Sequence, residues 1–183
     1  MSAEHVQAEQ GASIGSLVDR LARRLADRTF PTGEHAALRR LRTDGPDLRH
    51  TAALYRLMEL AGIRAFDPDG VRRWAAIINA LALCRGAHHP DRRAGAALYA
   101  ANFSEARLAA LLAADRDTLI DLLPRVARRL DAAGETMDWG PLATLLLMIG
   151  RDDARADEIR SRIARDYVRA ESRLSSRNPQ PAV

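Results

Sequence analysis

The sequence predicts an all-α protein built as two small packed helical bundles, an N-terminal and a C-terminal lobe. Three observations lead there. Apolar residues make up 47% of the 183 residues but aromatics only 4%. Ala and Leu dominate the remainder, a mix that favours close-packed helices over sheets, which draw on β-branched and aromatic side chains. Apolar residues recur at helical spacing through most of the chain, and turn clusters and capping residues interrupt them at short intervals.

Residues 1–12 are polar and patternless and are expected to form a flexible arm. The first helix is expected from Ser13 to Thr29, with Ile14, Leu17, Val18, Leu21 and Leu25 on one face. Arg20, Arg24 and Arg28 form a stripe beside Asp19 and Asp27 that reads as a solvated face. Thr32 or Gly33 opens a short helix through Arg42, followed by the turn cluster 43–47. A helix over about 48–61 turns Leu54, Leu57, Met58 and Ala61 inward. Asp67-Pro68-Asp69-Gly70 is a start signal for a helix over about 69–84, carrying Trp74, Ile77, Ile78 and Leu81.

The pattern breaks at Arg85 to Arg93, so residues 86–93 are expected to be a linker loop between lobes 13–85 and 94–172. The second lobe reads as helices over about 94–101, 105–113 (capped by Ser104), 116–132 (capped by Asp115 or Asp117), 139–149 (capped by Asp138) and 151–172. Pro124 is expected to kink or split the third of these. The Ser/Pro-rich tail 173–183 is expected to be disordered.

The same composition excludes several chemistries. The chain has no lysine, so all 28 of its basic residues are arginine, with a net charge of +4. A Walker A loop, a kinase strand lysine and a Schiff-base amine are therefore impossible. The single cysteine, Cys84, allows no disulfide framework and no thiolate cluster, and its apolar neighbours mark it as a core thiol. His88-His89-Pro90-Asp91 lacks further ligands at familiar spacing and reads as an exposed loop. No nucleophile signature stands out, and neither an enzyme nor a cofactor is expected. The N-terminus has no apolar signal region, and the longest apolar stretch, Trp139 to Ile149, is too short to cross a bilayer. A cytoplasmic protein with no membrane contact is the expectation.

Arginine forks hold phosphates bidentately. The final helix, with Arg151, Arg155, Arg160, Arg162, Arg165 and Arg169 among as many acids, is expected largely to neutralise itself. Two clusters are less balanced: Arg39, Arg40, Arg42 and Arg49 with Arg56, and Arg116, Arg125, Arg128 and Arg129. Few aromatics are available to read bases, so backbone tracking is the favoured mode. Ala100 to Leu108 also has the outline of a helix-turn-helix, which leaves a DNA-binding regulator or a helical protein-only adaptor as alternatives.

The order of these pieces resembles the small subunit of the type I-E CRISPR surveillance complex Cascade, the CasB family. Leu38-Arg39-Arg40 is followed by Ala53-Leu54-Tyr55-Arg56-Leu57. Then come Gly95-Ala96-Ala97-Leu98, Ser104-Glu105-Ala106-Arg107-Leu108, Ala114-Asp115-Arg116, Asp138-Trp139, and Arg165-Asp166-Tyr167-Val168. The resemblance implies a non-catalytic role in antiviral defence, in which the subunit holds the displaced non-target strand and stabilises the R-loop. It implies as partners the Cascade backbone and large subunits, a second copy in a head-to-tail dimer, the crRNA-bound assembly and target DNA. By position it maps basic residues onto Arg40, Arg107, Arg116 and Arg128, with Arg39 beside Arg40. Ala113 and Ala96 stand where the family often has basic residues, and Arg72, Arg73, Arg125 and Arg129 are expected to compensate. The nucleic-acid-binding set is therefore Arg39, Arg40, Arg42, Arg72, Arg107, Arg116, Arg125, Arg128 and Arg129.

Overall fold

The structure, a computed structural model, describes residues 13–43, 48–65 and 67–177. The expected arm 1–12, most of the turn 43–47 and the end of the expected tail, 178–183, lie outside these described residues. Among the described residues the chain forms nine helices and no strand, as an all-α fold requires. They are α1 (Ile14–Ala26), α2 (Thr32–Arg39), α3 (Leu48–Ala61), α4 (Pro68–Leu83), α5 (Ala94–Ala100), α6 (Glu105–Ala113), α7 (Arg116–Ala133), α8 (Gly140–Met148) and α9 (Asp153–Arg177).

Short polar side chains set most of the starts by accepting an orphan N–H of the first turn. Ser13 accepts from Ser16 at 3.2 Å, Asp67 from Gly70 at 2.6 Å and Ser104 from Arg107 at 3.4 Å. Of the two candidates before α7, Asp115 caps, accepting from Thr118 at 2.8 Å. Several elements differ from the sequence reading. Helix α2 ends at Arg39 rather than Arg42, so Arg40 and Arg42 lie beyond it. Helix α1 stops at Ala26 because the Asp27 carboxylate takes both the N–H and the hydroxyl of Thr29, at 2.8 Å each, closing a turn. Helix α7 runs through Pro124 unsplit. Helix α9 continues to Arg177, so residues 173–177 are helical where a disordered tail was expected.

One hydrophobic cluster runs through both halves of the chain, from Val18 to Tyr167. Helix α4 is its axis: every residue from Arg73 to Leu83 is buried. Helix α1 packs on α8, and α4 packs along α7. Those last two run parallel. At their starts Arg72 meets Asp117 and Arg116 meets Asp69. At their ends the Asp131 charge acts on Cys84. Helix α5 crosses α9 backbone to backbone. A Cβ on Gly95 would stand 2.1 Å from the Ile163 carbonyl oxygen and 2.5 Å from the Tyr167 nitrogen, so only glycine fits the crossing.

The segment 86–93 is stitched down rather than exposed throughout. The His88 side chain is only 4% exposed, with Nε2 2.5 Å from Asp19 Oδ1. Its Nδ1 accepts the Trp139 N–H at 3.1 Å, and the Trp139 indole N–H donates to the Ala87 carbonyl at 3.1 Å. The expectation of a loop with two exposed histidines is thus corrected for His88, while His89 is exposed. Among the described residues no group of three His, Cys, Asp or Glu is placed to hold a metal, and no helix is long and apolar enough to cross a membrane. Cys84 is buried, its thiol pushed up to about 12 by desolvation, which removes the reactive thiolate.

Candidate nucleic-acid interface

The arginines divide by where their donors go. Arg73, which the sequence reading offered as a compensating surface charge, is 2% exposed. Its Nε donates to Asp69 at 2.9 Å, and its Nη1 donates to the carbonyls of Leu146, Leu147 and Ile149 at 2.9, 3.0 and 2.9 Å. Those carbonyls end α8 and have no partner within the helix, so Arg73 is a buried C-terminal cap. Arg160 does the same for α6, donating to the Leu112 carbonyl at 2.7 Å. Arg56 pairs with Glu34 and ties α3 to α2.

The nine expected site residues fall into three groups. Arg39, Arg40, Arg107, Arg125 and Arg128 are exposed, and among the described residues their guanidinium groups carry no hydrogen bond or ion pair. Arg42 is exposed and interacts with a neighbour. Arg72, Arg116 and Arg129 are engaged by the fold. Arg129 donates to the Ala101 and Asn102 carbonyls at 2.7 and 3.0 Å, closing the turn between α5 and α6. Arg116 lies 3.1 Å from Asp69 and 3.3 Å from Asp117. The side chain of Arg49, from the first cluster, lies outside the described residues.

Arg72 brings the two clusters together. The Asn79 amide donates to the carbonyls of Leu38 and Arg39, at 2.8 and 3.2 Å, and so fixes the end of α2 against the middle of α4. The chain then runs back along α4 until the Thr43 carbonyl accepts Arg72 Nε at 3.0 Å. The other arm of Arg72 reaches Asp117 of α7 at 2.7 Å. One guanidinium therefore spans from the strip carrying Arg39, Arg40 and Arg42 to the helix carrying Arg116, Arg125 and Arg128. Hydrogen bonds from Arg116 and Arg72 hold the Asp117 carboxyl below the usual carboxylate range, so it stays ionised between them.

Arg107 is not part of this arrangement. Helix α6 lies antiparallel along α9, held by Arg160 at one end and by the Tyr167 hydroxyl, which donates to the Phe103 carbonyl at 2.6 Å, at the other. The helix-turn-helix outline exists as α5, a turn and α6, but Arg129 and Tyr167 fasten its turn to the core. Sequence reading missed the burial of Arg73. Its signal was the run after it, apolar from Trp74 to Leu83 except at Asn79, since a helix buried on every side buries its charged residues too.

A family model described as CRISPR-associated protein Cse2 matches residues 34–167. No curated protein and no solved structure matches the chain. The family match covers well over half the chain, from the start of α2 to the Tyr167 anchor of α9, and takes in both arginine clusters; the chain belongs to the Cse2 (CasB) family, the small subunits of type I-E CRISPR Cascade.

Proposed function

We propose that this subunit is a non-catalytic holder of the displaced non-target DNA strand, and that it stabilises the R-loop from the face built on α2, α4 and α7. The observation that carries the reading is the Arg72 bridge, which sets Arg39 and Arg40 on one edge and Arg125 and Arg128 on the other, with their donors free among the described residues. A guanidinium with no internal partner keeps its fork for phosphate oxygens. Arg42 and Arg116 flank this set, and Arg72 holds it in register. Sequence choice comes from guide pairing, and because R-loop formation is nearly balanced, a few backbone contacts tip it. The subunit works in the cytoplasm beside the backbone and large subunits of the crRNA-bound assembly, with a second copy packed head to tail.

The test is Cascade reconstituted with Arg40→Ala and Arg128→Ala together. R-loop lifetime is expected to shorten, and the salt slope of binding to become shallower by about one unit or slightly more, since each single-strand phosphate contact contributes roughly 0.7. An unchanged lifetime with an unchanged slope would overturn the strand-holding role.

A further inference from the structure

The two halves of α9 carry their charge differently. In the first half, Arg155 pairs with Glu158 at 2.5 Å and Arg160 with Asp157 at 2.7 Å. From Ser161 to Arg173 four arginines face only two acids, Asp166 and Glu171. Arg162, Arg165 and Arg169 stand at i, i+3 and i+7, which places them on one side of the helix. With Arg93 they line a cleft of about 410 Å³ between α9 and the start of α5. Two carboxylates stand on its wall: Asp166 is held by Arg93 at 3.0 Å and lies 4.0 Å from Arg169, and Asp138, which feels the Arg162 charge, accepts the Gly140 N–H at 2.9 Å. Among the described residues Arg162 and Arg165 have no carboxylate in ion-pair contact.

A second cleft of about 580 Å³ continues along the same helix, lined by Tyr99, Arg92 and Arg173. The clefts adjoin on both walls, Arg93 and Arg169 lining the first, Arg92 and Ala170 the second. Tyr99 is half-buried and braced edge-on against Tyr167, ring centroids 5.2 Å apart. At 1.5 Å per residue, the arginine side of α9 from Arg162 to Arg173 is about 16 Å long, room for several consecutive phosphates of one strand. Arginines along a groove with a rigid aromatic at one end are the pairing that grips single-stranded nucleic acid, phosphates on the arginines and a base on the ring.

We propose that this groove is a second single-stranded nucleic-acid track, separate from the face on α2, α4 and α7. The Arg93, Arg162, Arg165 and Arg169 guanidinium groups hold phosphates, and Tyr99 stacks a base. The shared chemistry is a single-strand phosphodiester chain, displaced DNA or guide RNA.

The test uses the full chain with short fluorescent single strands of DNA and of RNA, and poly-glutamate as competitor. Arg162→Gln, Arg165→Gln and Arg169→Gln together change only exposed side chains. The triple variant is expected to lose about tenfold in affinity at low salt and to flatten the salt slope by about two units. Strands bearing 5-iodouracil are expected to crosslink to Tyr99, and in reconstituted Cascade the crosslinked strand, displaced DNA or crRNA, identifies the source. Unchanged affinity and slope, or poly-glutamate competing as well as nucleic acid with no Tyr99 crosslink, would overturn the proposal. The Arg40→Ala, Arg128→Ala variant is expected to keep the Tyr99 crosslink. Its loss would mean one shared site and would overturn the second track while leaving the strand-holding role standing.

Discussion

Arg72 and Arg73 are neighbours in sequence, yet they sit in opposite regions of the molecule. Arg73 points into the core, where three carbonyls and one carboxylate use its donors. Arg72 stands at the surface and joins the basic strip to α7. Arg40 and Arg128 are exposed and have no partner among the described residues. The three environments separate what a total of 28 arginines conceals. An arginine serves the fold when internal oxygens saturate it, and remains available to a phosphate when they do not.

That division can be broken or sharpened in order of effect. Arg73→Met should cost the most. It leaves the Leu146, Leu147 and Ile149 carbonyls without their donor, and losing such a buried charged partner costs about 3–5 kcal/mol. A thermal melt should fall by roughly 10 °C, and a melt within a degree or two of the parent would mean the site relaxes without the guanidinium. Arg129→Ala should come next, at about 1–2 kcal/mol, from the freed Ala101 and Asn102 carbonyls. Strand binding by the same variant separates a turn clamp from a phosphate contact. If Arg129 is only a clamp, affinity of the still-folded protein stays at parental level.

Asp117→Asn removes the carboxylate that Arg72 and Arg116 share. Exposed ion pairs contribute little to stability, so the melt should barely move. Single-strand affinity should rise about twofold as two guanidinium groups lose one internal competitor, Arg116 keeping Asp69, and a fall would mean Asp117 is needed to aim them.

The smallest effect concerns Asp138. Burial, with the Asp19 charge adding to it, raises its carboxyl above the usual range despite the Gly140 N–H it accepts. A raised folded value means the protonated form suits the fold. Its contribution is present below the ordinary carboxyl value and is lost as pH climbs through the raised one. Asp138→Asn keeps an acceptor for Gly140 and sheds the charge. It should therefore melt slightly higher than the parent at neutral pH and identically in strong acid, and a lower melt at neutral pH would show that the charge is needed.

Much of the fold was legible from residue types. Ser13, Ser104 and Asp115 cap where capping chemistry says they should, and α3 and α6 fall on the residues their apolar spacing marks out. What escaped depends on distance along the chain. His88 is buried by Asp19 and Trp139, which stand 69 and 51 residues away, and no local pattern reports such neighbours. The α5–α6 turn looked like a motif because its fastening, Arg129, arrives from another helix. The candidate site divided along the same line. That arginines gather at residues 39–42 and 116–129 is visible in the sequence, but which of them are already occupied is decided by carbonyls and carboxylates brought in from elsewhere. The self-neutralised reading of α9 fits the ion pairs of its first half, whereas in its second half Asp166 is shared between Arg93 and Arg169, and Arg162 and Arg165 have no ion-paired carboxylate among the described residues.

The crossing at Gly95 bears on how the protein is made. Helix α5 can seat only on a finished stretch of α9 around Ile163 and Tyr167, and the packing of α1 is completed only by α8. On the ribosome, which delivers residues from the N-terminus first, the first thirteen-residue helix therefore meets α3 and α4 early but emerges long before α8, the helix it packs on most, exists. Such late-closing contacts slow folding and leave apolar surface uncovered in the meantime. The nascent chain thus keeps apolar surface uncovered until about residue 167 has cleared the exit tunnel.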